Sequence, residues 1–552
     1  MKKSFFSAIV LLLAAILFIS ACGGKGPDTG ANTGGETKEA ADEPQKKIDW
    51  RERSEEPRVV TIINREDPSQ IFPEGQDIYD NLWTRRWKEL YNIEVKTIWV
   101  SADYEVSLNL AIASKELPDM FYSNTVQFMQ MKDANMLEDL TDVLDKYGSP
   151  SLKKMLSDEQ LTTDTAMKNG KLYAIPQLSY GAVCNPYYLW IRKDWMEELG
   201  QPDVSTIANF EGFMKTCIDH YKIPYAIGME SSLIQFWASI PGWHGYPRDG
   251  GTRMWVDDGA GGIMSGYEMI PQMKEALATW AKWYENGWVR QDFATATWDN
   301  YVEDIVSGTT GMQYGAQWVG WTWFHIVENF GDNSYLECYD IPSVDGEAVH
   351  HPVQFLNWAY NVVTAGAKCP EALVILINDY IYLLNEATLA GDMTSEEVVP
   401  FNTNNMHHTT GPFKITFASY SDTKEVINAV KTGKAEFTTG YARTYYDELN
   451  KWITDKDITS LGRFVQMGND RASLVTATRY EDAGLYLYTK AWGAAPQIEL
   501  DLGSITDSTL NEGVTKIIMG TEPVDYYDQL IEEWRIAGGN DMKAAINKQF
   551  GK

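Results

Sequence analysis

The folded part of the chain opens on an alternation of two hydrophobic periods. Residues 59–64 (VVTIIN) form a β-branched run that reads as a strand. Across 77–91, apolar side chains recur at Leu82, Trp83, Trp87 and Leu90, the spacing of one helix face. Residues 93–100 (IEVKTIWV) return to strand character. A second helix is predicted over 103–114, where Tyr104, Leu108, Ala111 and Ile112 align, and Pro118-Asp119 leads into a short strand at 120–123. Strand, helix, strand, helix, strand implies right-handed crossovers and a parallel sheet. In such open sheets a ligand sits beyond the carboxyl ends of the strands. The residues placed there are Asn64 and Arg65, Trp99, and Tyr122-Ser123-Asn124.

Further along, Asp194 and Glu197 have the spacing of a capping box, and Gly200 supplies a stop. Residues 271–286 predict a helix with Met273, Leu277, Trp280 and Tyr284 facing one way, a stripe that belongs in the core. The tail predicts a helix over 530–536, a terminator at Gly538-Gly539 and a last helix over 541–550. No internal repeat of fixed period is present.

The amino terminus follows a different pattern. Lys2 and Lys3 precede an apolar run over 5–20, too short for a stable spanning helix, and Ile19-Ser20-Ala21 lead to Cys22. A cysteine at the cleavage point resembles the lipobox of bacterial lipoproteins, so residues 1–21 are expected to leave as a signal peptide and Cys22 to carry lipid. Two or more acyl chains there give lasting attachment. After Cys22 no further run reads as long and apolar enough to span a bilayer. Residues 22–57 are rich in Gly, Thr, Lys, Glu, Asp and Pro, which predicts a solvated linker. At ~5–6 Å × √n such a linker holds the body roughly 30–35 Å from the lipid.

Composition then narrows the function. A chain of 552 residues exceeds what one hydrophobic core supports, so two or more lobes are expected. The net charge of −30 argues against nucleic acid and against docking on anionic lipid. Cys184, Cys217, Cys338 and Cys369 match no zinc spacing and are too sparse for a disulfide scaffold, so buried free thiols are expected. Twenty Trp and thirty Tyr are more flat faces than a core needs, and they suit a ligand with apolar faces and polar edges.

From residue 58 onward a series of motifs occurs in a characteristic order: ELPDMFYSN (116–124), NMLEDLTDVLDKYG (135–148), GKLYAIP (170–176), LWIRKDWMEELG (189–200), TWAKWYENGWVRQDF (279–293), SGTTGMQYGAQW (307–318), CPEALVILIN (369–378), KIIMG (516–520) and WRIAGGNDMKAAIN (534–547). In these the chain resembles the extracellular sugar-binding proteins of ABC transporters, within them the LplA-like lipoproteins. The resemblance implies an α/β, two-lobed periplasmic-binding-protein-like fold of the class II type, with the ligand cleft between the lobes. It divides the chain into one lobe at 58–185 with a returning segment at 350–440, and another at 186–349 with the carboxy-terminal helices at 441–552. It also implies an oligosaccharide ligand, acidic xylan fragments being the ligand associated with the subgroup. Delivery would be to permease subunits from the extracellular face of the cell membrane, by a lipid-anchored monomer that uses no cofactor or metal and is not an enzyme.

Carried over position by position, the residues after the Pro-Asp of the third strand are Tyr122, Ser123 and Asn124. Asn185 stands nine before the Asp of the RKD segment. Trp237 follows DHYKIPYAIG, and Trp318 follows the small-residue turn, with Trp321 and Trp323 close behind. Arg65 suits a sugar carboxylate, or equally a pair with Glu66 or Asp67. These residue types fit a pyranose: aromatics cover its C–H faces and polar groups satisfy its hydroxyls.

Two rival readings share these features. A surface glycoside hydrolase needs paired carboxylates, which 77 acids supply by chance; no G-x-S-x-G, H-E-x-x-H or P-loop pattern is present. His350-His351 and His407-His408 read as exposed turns, and Asp257-Asp258-Gly259 as a hairpin turn without the acidic loop calcium needs. A lipoprotein that signals ligand state to a membrane kinase would need the same closing cleft as an importer.

Overall fold

Two separate hydrophobic cores organise the chain. One is built from residues between Trp50 and Leu178 and then from Ala359 to Ile415; the other takes Tyr188 to Val349 and then Val426 to Ile546. The fold is therefore a two-lobed α/β architecture in which the chain passes between cores after Leu178, after Val349 and after Ile415. The computed structural model describes residues 49–67, 70–178, 187–231, 254–355, 357, 359–402, 411–415 and 420–551. Cys22, Cys184, Asn185, Trp237 and the His407-His408 pair lie outside the described residues.

In the first lobe, strand β1 (Arg58–Arg65) leads to helix α1 (Leu82–Tyr91) and strand β2 (Ile93–Ser101), which pairs parallel with β1 from Arg58↔Ile93 to Arg65↔Ser101. α1 begins at Leu82, five residues into the predicted range of 77–91. The Asp77 carboxylate accepts the Tyr79 and Asp80 N–H groups in a turn, and Asn81 then caps the helix reciprocally with Thr84. Helix α2 (Tyr104–Ser114) buries Tyr104, Leu108, Ala111 and Ile112, as its spacing predicts. Strand β3 (Met120–Ser123) is capped into helix α3 (Thr125–Asp133), and strand β4 (Ile175–Pro176) closes this stretch.

β3 does not become a third parallel neighbour of β1. The Asp119 carboxylate takes both the Thr61 N–H and the Thr61 hydroxyl at 2.7 Å, occupying the place of a ladder. β3 pairs instead with a fully buried antiparallel strand that returns some 240 residues later.

The second lobe centres on strand β5 (Tyr187–Arg192), which is buried beyond its first residue. The helix α4 (Lys193–Glu198) that follows lacks the expected capping box: Asp194 takes the Arg192 guanidinium, Glu197 pairs with Lys193, and the helix starts two residues early. Strands β6 (Trp255–Asp257) and β7 (Ile263–Ser265) form a hairpin whose connection, residues 258–262, begins at the expected Asp257-Asp258-Gly259, with both Asp side chains accepting backbone N–H groups. Helix α5 (Ile270–Glu285) buries Met273, Leu277 and Trp280 as predicted, with Trp283 rather than Tyr284 completing the stripe. After helix α6 (Trp298–Val306), strands β8 (Met312–Ala316) and β9 (Leu336–Tyr339) flank β5, both antiparallel to it.

Strand β10 (His351–Val353) precedes the return to the first lobe, where strand β11 (Tyr360–Val363) lies between β3 and β4. His351 corrects the sequence reading, because it is fully buried among Tyr188, Tyr480 and Tyr486 rather than exposed in a turn. Helix α7 (Glu371–Ile381) and its continuation to Ala390 correct another: by length and composition this helix could cross a bilayer. It is the first lobe's central helix, and 78% of its apolar window is buried. Strand β12 (Tyr486–Tyr488) pairs parallel with β10. Helices α8 (Gln497–Ile518), α9 (Tyr526–Trp534) and α10 (Asn540–Phe550) complete the second lobe. The wide turn Arg535–Gly539 joins the last two, made by Gly538 at φ +135°. Cys217 and Cys338 are buried free thiols, whereas Cys369 is only half-buried.

Candidate functional site

The register of the strands brings two edges to the crossings. In the first lobe Tyr360 stands opposite both Ser123 and Pro176, and the Gln177 N–H donates to the Ala359 carbonyl at 2.8 Å. The end of β3, carrying Tyr122 to Asn124, is therefore the edge at which the chain leaves this lobe and comes back. In the second lobe Tyr187 starts β5 opposite Ala316 at the end of β8, so Gln317 and Trp318 follow at the edge where the chain arrives.

On the first edge Tyr122 lies flat on Tyr104, with ring centroids 4.4 Å apart and planes within 8°. The Tyr104 hydroxyl donates to the Tyr122 carbonyl at 2.8 Å, and Trp99 extends the group at 5.7 Å from Tyr104. The Tyr122 hydroxyl is buried with no partner among the described residues. Ser123 is wholly buried, its hydroxyl turned to the Tyr360 carbonyl. Asn124 caps α3, accepting the Gln127 N–H at 2.9 Å and donating to Glu105 at 2.7 Å.

Arg65 ends β1 beside these rings. It is exposed, it makes no ion pair within 4.0 Å among the described residues, and it borders a cavity of about 550 Å³ with Phe72 and Tyr79. The expected alternative, a pair with Glu66 or Asp67, does not form. Lys414 is the residue that sequence reasoning missed. Its ammonium lies 5.0 Å from the Tyr122 ring centroid, and burial followed by the Arg65 charge pulls it down to about 8. No local signal could have found it, since Lys414 is 292 positions from Tyr122 and sits in no motif.

On the second edge Trp318 is 43% exposed and packs against Trp298, 38% exposed, at 5.6 Å; Trp298 in turn stacks on the buried Tyr301 at 5.0 Å. Glu230 is buried near Tyr187, and after the larger effect of burial its charge raises the Tyr187 phenol further. Trp321 is placed differently from Trp318: its ring packs on Gly462, under the Arg463 guanidinium at 5.0 Å. Arg463 is held in turn by Tyr445 and Glu448. Trp323 is core, 5.8 Å from Trp190. Beside the crossing itself, Trp492 meets Phe355 at 5.4 Å and Tyr488 at 5.3 Å, another grouping no motif announced.

A family model for bacterial extracellular solute-binding proteins matches residues 84–404. Lipoprotein LipO of Bacillus subtilis is 21% identical over 479 residues, covering 83% of this chain and 86% of that protein. The fructooligosaccharide ABC transporter substrate-binding protein FusA of Streptococcus pneumoniae is 25% identical over 211 residues, 36% of each chain. Its structure in complex with kestose superposes with a TM-score of 0.54 at 15% identity, covering 89% of this chain and 99% of that one. An HMO-binding solute-binding protein from Bifidobacterium longum infantis gives a TM-score of 0.60 at 12% identity over 90% and 100% of the two chains. Both structures share the two-lobed fold.

Proposed function

The chain belongs to the bacterial extracellular solute-binding proteins, and from that premise we propose that it captures an oligosaccharide between its two lobes and delivers it to the permease of an ABC importer. The observation that carries this reading is the exposed Trp298–Trp318 pair at one crossing edge, matched by the Tyr122–Tyr104 stack at the other. A receptor must hold its ligand from both sides, because only differential affinity shifts an open–closed equilibrium. The exposed Trp298–Trp318 rings can cover one face of a sugar chain, while on the other edge Tyr122, buried on Tyr104, turns its unsatisfied hydroxyl to the rim, and Glu230 adds a carboxylate.

Arg65 and Lys414 extend the proposal to a ligand with an acidic group, such as a uronate-bearing xylan fragment. Lys414 lies over the Tyr122 ring and Arg65 stands beside it, two cations that can meet a carboxylate although Glu66, Asp67 and Asp77 line the same cavity as Arg65. The lobes act as the domains, and Asn185 and Trp237 complete the site. Cys22 holds the monomer to the outer face of the membrane through its lipid, and the linker gives it reach to the permease.

Calorimetry on single variants tests the reading. Trp318→Ala is expected to weaken oligosaccharide binding at least about tenfold, roughly the value of one aromatic contact, while apo thermal unfolding stays nearly unchanged because the ring is already half in solvent. Arg65→Gln should abolish any preference for a uronate-bearing fragment over its neutral counterpart. Equal affinity in wild type and Trp318→Ala would remove that residue from the site and, with it, the main support for a sugar clamp.

A further inference from the structure

A cavity of about 650 Å³ opens against the carboxy-terminal helices and reaches Gln354, just past β10. Trp255, Tyr267 and Trp534 form its aromatic wall, and α8 supplies the polar one. Glu499, Gly503, Asp507 and Asn511 follow one another at four-residue steps, so they share one face of that helix. Gly503 lies inside the helix, where glycine is about 1 kcal/mol worse than alanine. Yet a Cβ built there would meet no atom within 4 Å. Packing does not ask for glycine at this position; its effect is a notch between two carboxylates.

The polar groups around the notch are incompletely paired. The Trp255 indole N–H donates to Glu499 at 2.9 Å, and the Tyr267 hydroxyl donates to Asp507 at 3.3 Å. Glu499 keeps further acceptor capacity on its second oxygen. Trp534 is 2% exposed, and its indole N–H is buried with no acceptor among the described residues. Such an orphaned donor costs about 1–3 kcal/mol, and a ligand oxygen in the cavity would recover that. Burial raises the Glu499 carboxyl, as does the Asp507 charge, against the Trp255 hydrogen bond.

We propose that this cavity is a second saccharide pocket, taking one neutral sugar ring. A hydroxyl can donate to Glu499 and accept from Trp534, and the ring faces can lie against Trp255 and Tyr267. The two carboxylates repel a uronate, the reverse of the preference proposed for the Arg65 edge. The inference rests on the carbohydrate reading of the protein but concerns a cavity that neither Trp298 nor Trp318 lines.

The test uses the full chain labelled with 5-fluorotryptophan and followed by ¹⁹F NMR, the Trp534 and Trp318 resonances being identified from Trp→Phe variants. The probes are methyl β-D-xylopyranoside, methyl β-D-glucopyranoside and methyl β-D-glucuronide. The neutral glycosides should shift the Trp534 resonance saturably and the glucuronide should not. Gly503→Leu, whose Cβ meets no atom within 4 Å and whose branch fills the notch, should abolish the shift, and Glu499→Gln should weaken it about tenfold, the loss expected of a hydrogen bond to a charged group. A Trp534 resonance unmoved by both neutral glycosides overturns the pocket, as does an unchanged shift in Gly503→Leu. An equal response to the glucuronide overturns the neutral assignment. Response at Trp318 with silence at Trp534 keeps the carbohydrate reading and discards this pocket; silence at both also discards this pocket, the oligosaccharide reading being decided separately by the Trp318→Ala calorimetry.

Discussion

At the residue scale, His351 illustrates a cost that the fold accepts next to a crossing. Its ring is fully buried, neither nitrogen has a partner among the described residues, and burial lowers it to about 3. The groups around it are the Tyr188, Tyr480 and Tyr486 rings, with the charges of Asp340, Arg479 and His350 near by. A base whose folded value lies below its unfolded one takes up protons on unfolding. Its penalty is therefore absent above about pH 6.5 and grows as pH falls toward 3. Between pH 7 and 5 the wild type should lose about 2 kcal/mol more stability than His351→Phe, measured by denaturant unfolding at both pH values. Parallel losses in the two proteins would show that the imidazole does not titrate this way. A paired histidine in polar sequence reads as a turn; that it alternates with Val349 and Val353 into a buried strand emerges only once β12 pairs with β10.

At the scale of elements, end signals decided more than periodicity. Helix α1 has an apolar face running from Leu82, but its start is set by Asn81, whose side chain accepts the Trp83 and Thr84 N–H groups at 3.0 and 3.2 Å. Asn81→Ala should destabilise the first lobe by about 1 kcal/mol, and up to about 2 because the cap is buried. Thermal unfolding measures this, and an unchanged midpoint would assign the helix start to packing alone. The predicted capping box at Asp194 failed for the converse reason: Arg192, two residues earlier, offered its carboxylate a charged partner. The apolar faces of α2 and α5 were legible because a 3.6-residue period needs no distant information. Strand partners were not legible, and β3 shows why. Its ladder partner β11 lies about 240 residues away, while the neighbour expected from sequence order is held off by one aspartate.

At the scale of the molecule, two cores joined by repeated crossings predict a hinge. Small-angle scattering of the chain should show a smaller radius of gyration with a bound oligosaccharide than without. Identical profiles, together with no heat of association across a saccharide panel, would deny the clamp altogether. The sequence by itself determined the α/β alternation, the apolar faces of the long helices, the amino-terminal pattern ending at Cys22, and the family, since each is written in local spacing or in the order of motifs. Only the tertiary structure decided which side chains share an edge. It brought Lys414 onto Tyr122, set Trp298 against Trp318, held Trp321 under Arg463, and opened the Gly503 notch between Trp255 and Trp534. Those meetings depend on strand register and on where the chain crosses between cores, which are long-range quantities that no window of sequence carries.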